Sequence, residues 1–131
     1  MAMEVQLVSP ERVLFVGEAD MVICRTLEGG DIAFQPGHVP FLGALGSHPV
    51  RVYLSDHSVT EFAVHGGFVE VAHGRVIILS DVAELASDID VARARDAASR
   101  AEAALRAEPG DAEAQGAAHR AATRLAVADA A

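Results

Sequence analysis

The stretch RVIILSDVAELASDIDVARA, residues 75–94, contains the point at which the chain changes character. Up to about Leu85, apolar residues form short β-branched and aromatic runs separated by Gly, Pro, Asp and His, a pattern typical of an all-β unit. From Ala86 to Ala131, 19 of the 46 residues are Ala, the strongest helix former. The sequence therefore predicts an α+β protein with a β-sandwich domain over residues 1–86 and a helical domain over residues 87–131.

The first part divides into short extended runs. The predicted strands cover residues 4–8, 12–16, 20–26, 31–34, 50–54, 60–65, 68–71 and 75–79. Four dipeptides between runs contain a residue that tolerates positive φ, as tight hairpin turns require: Gly29-Gly30, Asp56-His57, Gly66-Gly67 and His73-Gly74. These patterns predict a meander of antiparallel strands that packs as a sandwich.

The second part contains signals for two helices. Ser87 or Asp88 can cap a first helix, which runs to about Ala107 and stops at the sequence EPGD, residues 108–111. Asp111 can cap a second helix that continues to about Ala128. Apolar residues follow three-four spacing in both helices, at Val91, Ala94, Ala98, Ala101 and Leu105, then at Ala114, Ala118, Ala121, Leu125 and Ala128. Two such stripes joined by a four-residue turn predict an antiparallel helical hairpin.

The seam of this hairpin is made mostly of alanine. Replacing a buried Leu by Ala removes roughly 2 kcal/mol of burial per site, so an alanine seam is weak. Alanine also keeps each helix stable after the seam opens. The sequence favours a hairpin that undocks without melting, and its alternative is an ordinary packed hairpin in an alanine-rich chain.

Composition excludes several classes of function. Nineteen acidic residues against ten arginines and no lysine give a formal net charge of −9, which disfavours binding to nucleic acid and to anionic lipid. Cys24 is the only cysteine, so no intramolecular disulfide can form, and its apolar neighbours indicate a buried strand residue rather than a nucleophile. The N-terminal sequence has no signal-peptide pattern and no apolar run is long enough to span a bilayer, so we expect a cytosolic protein without direct lipid insertion.

The potential catalytic residues form no recognisable constellation. Six histidines are scattered without metal-ligand spacing, and no serine, cysteine or Gly-rich loop has the setting of a nucleophile or a phosphate loop. His65 and His73 could face each other across a hairpin, but a polar strand-end role explains them better. We predict no catalytic residue, no metal site and no required cofactor, and an independent enzyme remains only a third hypothesis.

Arginine side chains define a candidate anion site on the hairpin. Asp90, Arg93 and Arg100 project from one side of the first helix, and Arg120 and Arg124 are four apart on the second. If these faces meet, several guanidinium groups converge where a polyphosphate could bind. The alternative is a solvated charged face with ion pairs within the first helix, Asp96–Arg100 and Glu102–Arg106.

Residues 31–40, DIAFQPGHVP, form a second candidate site. The segment combines Pro, Gly and hydrogen-bonding side chains between two β-type runs, so its backbone is restricted. Such a structured loop could dock a partner, although a plain connecting loop explains the same composition.

Motifs throughout the chain resemble one family in order. They are the opening segment of residues 8–19, the loop signature formed by Asp31-Ile32 and residues 36–42 (PGHVPFL), the strand segments of residues 66–71 (GGFVEV) and 76–81 (VIILSD), and the helical segments of residues 89–94 (IDVARA) and 120–125 (RAATRL). Together they resemble the epsilon subunits of bacterial F-type ATP synthases, with the loop signature the most specific motif.

This resemblance implies a non-catalytic subunit of the rotating central stalk. It implies a sandwich of about ten strands that binds the gamma subunit and the membrane rotor ring of c subunits, with Asp31 and His38 at ring-contact positions. It also implies a regulatory hairpin that restrains ATP hydrolysis when it extends towards the catalytic alpha/beta hexamer. The protein would then be peripheral, on the cytoplasmic side of the bacterial plasma membrane.

In members of the family that bind ATP, the nucleotide stabilises the compact hairpin. The matching positions in this chain are Glu84, Ile89, Asp90, Arg93, Ala94, Arg100, Arg120 and Arg124. ATP is therefore expected as a regulatory ligand and not as a required cofactor. The alternative function is a stand-alone ATP-sensing module.

Overall fold

The computed structural model describes residues 2–130 and shows strands followed by two helices. The strands are β1 (Met3–Val8), β2 (Val13–Thr26), β3 (Gly30–Phe34), β4 (Phe41–Leu54), β5 (Val59–Ala72), β6 (Arg75–Leu79) and β7 (Ala83–Leu85). A 3₁₀ turn at Ala86–Asp88 leads to α1 (Val91–Ala107) and α2 (Ala112–Ala130). The predicted class, a β-sandwich followed by a helical hairpin, is confirmed.

The seven strands form one sheet that closes on itself. Their order is β1-β6-β5-β4-β2-β3, with β7 paired to β5. Since β1 pairs with both β6 and β2, five strands complete a flattened, barrel-like sandwich. The expectation of a purely antiparallel sheet is wrong at one place, because β1 runs parallel to β6.

Three strands are longer than predicted. β2, β4 and β5 each contain 14 residues, so the predicted pairs of short strands at residues 12–16 and 20–26, and at 60–65 and 68–71, are halves of single strands. Within residues 2–130 this gives seven strands instead of about ten. Long strands that bend can serve both layers of a sandwich without being interrupted.

The Gly66-Gly67 pair bends β5 and does not end it. Both glycines have positive φ, 86° and 132°, yet Gly67 pairs with Leu45 of β4 and the strand continues. A Cβ atom on Gly67 would lie 2.1 Å from the carbonyl oxygen of Leu79, so only glycine fits. The predicted hairpin turn here is wrong, whereas positive φ at Gly30, His57 and His73 confirms the other three turns.

The core lies between the two layers of the sandwich. Alternate residues of the strands point inwards, and the largest buried side chains include Phe34, Phe62 and Met3. Phe15 packs edge-on against Phe62 with ring centroids 5.1 Å apart. Cys24 is buried as predicted, and burial raises the pKa of its thiol to about 12, so the thiol is unreactive at neutral pH.

The first helix begins later than predicted. The Asp90 side chain accepts a hydrogen bond from the backbone N–H of Arg93 at 3.0 Å, so Asp90 caps α1 in place of Ser87 or Asp88. The reason is that residues 86–88 form the 3₁₀ turn and Ile89 is extended. Asp111 caps α2 as predicted, since it accepts from the N–H of Ala114 at 3.2 Å.

The hairpin is attached to the sandwich through α2. α1 packs along α2, and α2 packs on β4 and β5. The alanine seam is confirmed by four buried members, Ala94, Ala101, Ala114 and Ala121. A second buried face of α2, with Thr123 and Val127, covers the sandwich and was not predicted. Among residues 2–130, no helix has the length and apolar character that a membrane span needs.

Candidate functional site

A cavity of about 320 Å³ lies where α1, α2 and β7 meet, and we call it the hairpin cavity. Its volume is at the lower end of the range for small-molecule sites. Six of the eight residues at predicted nucleotide-binding positions line it. Its lining residues are Glu84, Asp88, Asp90, Arg93, Ala94, Ala97, Arg100 and Arg124.

Helix α1 supplies most of this lining because of its periodicity. Asp90, Arg93, Ala97 and Arg100 recur at intervals of three or four residues, so their side chains lie along one face. Ala94, next to Arg93, is small and buried. The predicted projection of Arg93 and Arg100 to one side is therefore confirmed.

Arg124 and Glu84 link the helical hairpin to the sandwich. The Nε atom of Arg124 on α2 donates to Oε1 of Glu84 on β7 at 2.5 Å. Their side chains are 28% and 26% exposed, so water screens this pair less than a pair on the open surface. The pair lies at the wall of the hairpin cavity.

Charges of both signs line the hairpin cavity. Three guanidinium groups, of Arg93, Arg100 and Arg124, are joined by the three carboxylates of Glu84, Asp88 and Asp90. Asp90 is committed to capping α1, and Glu84 to Arg124. An incoming anion would gain planar, two-pronged donors from arginine but would have to approach beside a carboxylate.

Two of the predicted nucleotide positions are not in the cavity wall. Ile89 is buried in a small apolar cluster with Ala63 and Val127, where it anchors the start of the hairpin to the sandwich. Arg120 is exposed, and its guanidinium lies close to Gly116, one turn back along α2. Arg120 and Arg124 are four residues apart and therefore neighbours on the surface of α2, but of the two only Arg124 lines the cavity.

The alternative to an anion site is a solvated charged face with ion pairs within the first helix, and these ion pairs are also present on α1. Arg100 contacts Asp96 at 3.3 Å and Arg106 contacts Glu102 at 3.1 Å, in both cases four residues apart. All four side chains are about 70% exposed, so these pairs contribute little to stability. Arg100 thus has a surface partner and lines the cavity at the same time.

Behind Glu84, four polar side chains connect α2 to the sandwich, and we call this set the polar clasp: Ser47, His65, His119 and Thr123. Ser47 Oγ lies 2.9 Å from His65 Nδ1 and 3.2 Å from Thr123 Oγ1. Thr123 donates to the carbonyl of His119 at 3.0 Å, and His119 Nε2 donates to the carbonyl of Ser47 at 2.5 Å. The clasp therefore joins β4 and β5 to α2.

His65 connects the polar clasp to the hairpin cavity. Its side chain is 3% exposed, and its Nε2 lies 3.4 Å from the Glu84 oxygen that Arg124 also contacts. Burial, followed by the positive charge of Arg124, holds the pKa of His65 below the ordinary histidine value of 6.5. The idea that His65 faces His73 across a hairpin is wrong, because His65 lies within β5 and His73 lies in the turn that follows that same strand.

Asp31, a predicted ring-contact residue, is the second residue of β3. Its carboxylate accepts from Nε of Arg25 at 3.0 Å, and this hydrogen bond holds the pKa of Asp31 below its usual range. His48 lies 3.9 Å away. Asp31 also lines a cavity of about 360 Å³ beside α2, together with His48 and His119.

His38, the other predicted ring-contact residue, follows the far end of β3. Its ring packs edge-on against Phe34 with centroids 4.9 Å apart, and its Nδ1 lies 2.7 Å from the carbonyl of Val39. Gly37, at φ 87°, makes the turn that presents it. Asp31 and His38 therefore lie at opposite ends of the strand, and the loop proper covers residues 35–40.

The outer face of the sandwich has a continuous apolar row. Phe68 pairs with Leu79, Leu79 with Val8, and Val8 with Val13, so these side chains are neighbours across β5, β6, β1 and β2. Phe68 and Val13 are each 55% exposed. A row of large apolar side chains in water is typical of a surface that binds another protein.

Within the described residues, no group of three or more His, Cys, Asp or Glu side chains is arranged to bind a metal ion. The histidines instead lie at separate places: in the polar clasp, beside Asp31, after β3 and in two turns.

The sequence did not predict the polar clasp, and it did not predict that Asp88 lines the hairpin cavity. Ser47 and His65 lie inside long strands, and nothing in their local sequence distinguishes them from other polar strand residues. One signal was present in α2, where His119 and Thr123 are four residues apart and interrupt an alanine-rich face. Their role became visible only through the packing of α2 on β4 and β5.

Comparison with known proteins gives one consistent result. A family model described as ATP synthase, delta/epsilon chain, beta-sandwich domain matches residues 2–86. ATP synthase epsilon chains of Thermobifida fusca and Brevibacillus brevis are 49% and 46% identical to this chain. The first match covers 92% of this chain and 88% of the relative, and the second covers 79% and 77%.

Solved structures share the fold. A chain of the Euglena gracilis mitochondrial ATP synthase, in a structure of its OSCP/F1/c-ring, matches 98% of this chain and 78% of its own with a TM-score of 0.73 at 18% identity. A chain of the Tetrahymena thermophila enzyme, in a structure of the central stalk and c-ring, matches 69% and 71% with a TM-score of 0.53 at 19% identity. From the sandwich match and the bacterial relatives, we conclude that this chain belongs to the ATP synthase delta/epsilon family, as an epsilon chain.

Proposed function

We propose that this chain is a non-catalytic rotor subunit that couples the catalytic head to the membrane ring and restrains ATP hydrolysis through a mobile hairpin. The observation that carries the regulatory part is the hairpin cavity, in which six side chains at predicted nucleotide positions converge from three elements. ATP bound there would hold the hairpin docked on the sandwich.

The sandwich would bind the stalk and the ring. Relatives are named as epsilon chains, and one structural neighbour is in an assembly described as central stalk and c-ring. The exposed apolar row offers a surface for the gamma subunit, and Asp31 and His38 offer polar groups for the loops of the c subunits. The protein would then be peripheral on the cytoplasmic face of the plasma membrane.

The hairpin would act as the mobile part because its attachment is narrow. α1 packs along α2, and α2 alone carries most of the contact with β4 and β5. The buried seam residues are mainly alanines, which bury little area, while the polar clasp and the Arg124–Glu84 pair are hydrogen bonds that water can replace. Extension towards the alpha/beta hexamer would break these contacts and leave both helices intact.

Nucleotide would control this equilibrium by binding only the docked form. Arg93 and Arg100 on α1 and Arg124 on α2 come together only while the hairpin is closed. ATP at 100 times its dissociation constant would stabilise that form by about 2.7 kcal/mol, which is enough to control a weak seam. A stand-alone ATP sensor would use the same cavity but would not need the exposed apolar row.

The test is calorimetric titration of the whole chain with ATP, with Arg93→Ala as the site variant. Arg95→Ala is the matched control, because Arg95 is on the same helix, is exposed and does not line the cavity. We expect Arg93→Ala to weaken binding at least about tenfold and Arg95→Ala to change it less than twofold. Equal effects of the two substitutions would remove the assignment of the cavity. Co-purification with gamma tests the stalk role separately.

A further inference from the structure

We propose that His65 takes up a proton from solvent when the phosphate of a nucleotide binds Arg124, so that nucleotide binding completes the polar clasp that docks α2. This inference rests on the proposed nucleotide binding. It assigns to His65, which does not line the hairpin cavity, the role of a positioning residue for that cavity.

The first step concerns one carboxylate oxygen of Glu84, which Arg124 and a protonated His65 would share. Glu84 Oε1 lies 2.5 Å from Arg124 Nε and 3.4 Å from His65 Nε2. A phosphate that binds Arg124 competes with Glu84 for the guanidinium, and its charge lies next to the carboxylate. A proton on His65 gives Glu84 a new cationic partner and relieves this repulsion.

The second step is a count of hydroxyl protons in the polar clasp. Thr123 donates its single hydroxyl proton to the carbonyl of His119. Ser47 also has one hydroxyl proton but has two neighbours, His65 Nδ1 and Thr123 Oγ1. When His65 is neutral and donates from Nε2 to Glu84, Ser47 must donate to Nδ1, and its contact with Thr123 lacks a proton.

Protonation of His65 completes this network. The imidazolium donates from Nε2 to Glu84 and from Nδ1 to Ser47, which frees the Ser47 proton for Thr123. One hydrogen bond between β4 and α2 is thereby gained. Proton uptake in the sandwich thus tightens the docking of the helix whose Arg124 binds the phosphate.

The electrostatic surroundings make this uptake depend on the ligand. The groups that face His65 are Glu84 from β7, Arg120 and Arg124 from α2, and Ser47 from β4. Burial and the two arginines lower the pKa of His65, whereas Glu84 raises it. An anion on Arg124 offsets the largest charge among these causes, so the pKa of His65 rises when nucleotide binds.

The experiment measures protons exchanged on binding. ATP is titrated into the whole chain near pH 7 in two buffers of different ionisation enthalpy, and the difference in heat gives the number of protons taken up. We expect net uptake of at most about one proton per ATP, and affinity that rises as pH falls by at most about tenfold per pH unit. The phosphate itself would release protons on binding, the opposite of uptake, because arginines favour its deprotonated form.

His65→Gln is the test variant, since glutamine can still donate to Glu84 and accept from Ser47. His48→Gln is the matched control, a half-buried histidine on β4 beside Asp31 and outside the polar clasp. We expect His65→Gln to abolish proton uptake and His48→Gln to preserve it. ATP binding in which His65→Gln exchanges the same number of protons as the wild type, or in which the two variants change that number equally, overturns the inference but leaves the proposed function intact. No binding at any pH removes both.

Discussion

Arg124 on α2 and Glu84 on β7 form a direct ion pair between the helical hairpin and the sandwich. The residues are 40 positions apart in the sequence and meet only when the hairpin is docked. On the far side of Glu84, His65 and Ser47 continue the contact into the sheet. The same contacts therefore define the wall of the hairpin cavity and hold the hairpin closed.

Removal of the Arg124 guanidinium should loosen the docked hairpin. Arg124→Ala leaves Glu84 with only His65 as a partner, and we expect a loss of about 1 kcal/mol of docking free energy. Amide hydrogen exchange in α2 should then accelerate about fivefold. Arg120→Ala is the control, since Arg120 is exposed and does not line the cavity. Equal acceleration in both variants would contradict the role of the pair.

The nucleotide-free hairpin should undock more readily in acid. The pKa of His65 is lowered in the docked form, so docking favours the neutral ring. This stabilisation is complete above the ordinary histidine pKa of 6.5 and is lost as pH falls below that value towards the lowered pKa. Exchange protection in α2, corrected for intrinsic rates, should be constant above about pH 6.5 and fall as pH decreases from that value towards the lowered pKa. His65→Gln should flatten this profile, and an unchanged slope would show that another group is responsible.

The bend in β5 should tolerate no side chain at Gly67. Gly67→Ala would place its Cβ 2.1 Å from the Leu79 carbonyl oxygen, whereas a Cβ at Gly66 has no heavy atom closer than 3.8 Å. Both positions have positive φ, so Gly66→Ala serves as the control for backbone strain alone. In denaturant unfolding we expect a loss of about 1–2 kcal/mol for Gly66→Ala and of about 4 kcal/mol or more for Gly67→Ala. Similar losses would contradict the close approach.

Gly116 should be a weak point of α2. Its substitution by Ala raises helix propensity, and the nearest atom to the new Cβ is the flexible end of Arg120, 3.1 Å away. Because that guanidinium can move, we expect Gly116→Ala to stabilise the hairpin by about 0.5–1 kcal/mol. Increased helicity by circular dichroism and slower exchange in α2 would follow. A loss of stability would mean that Arg120 is held more firmly than its exposure indicates.

Features that depend on local periodicity could be predicted from the sequence. The cap at Asp111, the seam alanines and the shared face of Arg93 and Arg100 follow from helical spacing, and the structure reproduces them. The first residue of α1 was predicted less accurately than these features, because Asp88 and Asp90 are both good N-cap residues. Only the 3₁₀ turn and the burial of Ile89 decide between them.

Features that depend on tertiary packing could not be predicted. Gly66-Gly67 has the composition of a hairpin turn, but its pairing with β4 carries the strand through the bend. His65 is in the polar clasp only because α2 covers that part of β5. Arg120 has the spacing of a site residue, but its side chain extends towards Gly116.

The most direct test of a regulatory hairpin is to lock it in the docked form. The hydroxyl oxygens of Ser47 and Thr123 are 3.2 Å apart, so Ser47→Cys with Thr123→Cys offers a disulfide between β4 and α2. Buried Cys24 should not interfere, because the pKa of its thiol is raised to about 12. The single Thr123→Cys variant controls for the loss of the hydroxyl.

The measurement is ATP hydrolysis by the reconstituted ATP synthase with this double variant, oxidised and then reduced. A hairpin that restrains hydrolysis by extension predicts faster hydrolysis in the oxidised, locked enzyme and a return of restraint on reduction. Equal rates in the two states, with the disulfide verified, would contradict the regulatory role of the hairpin.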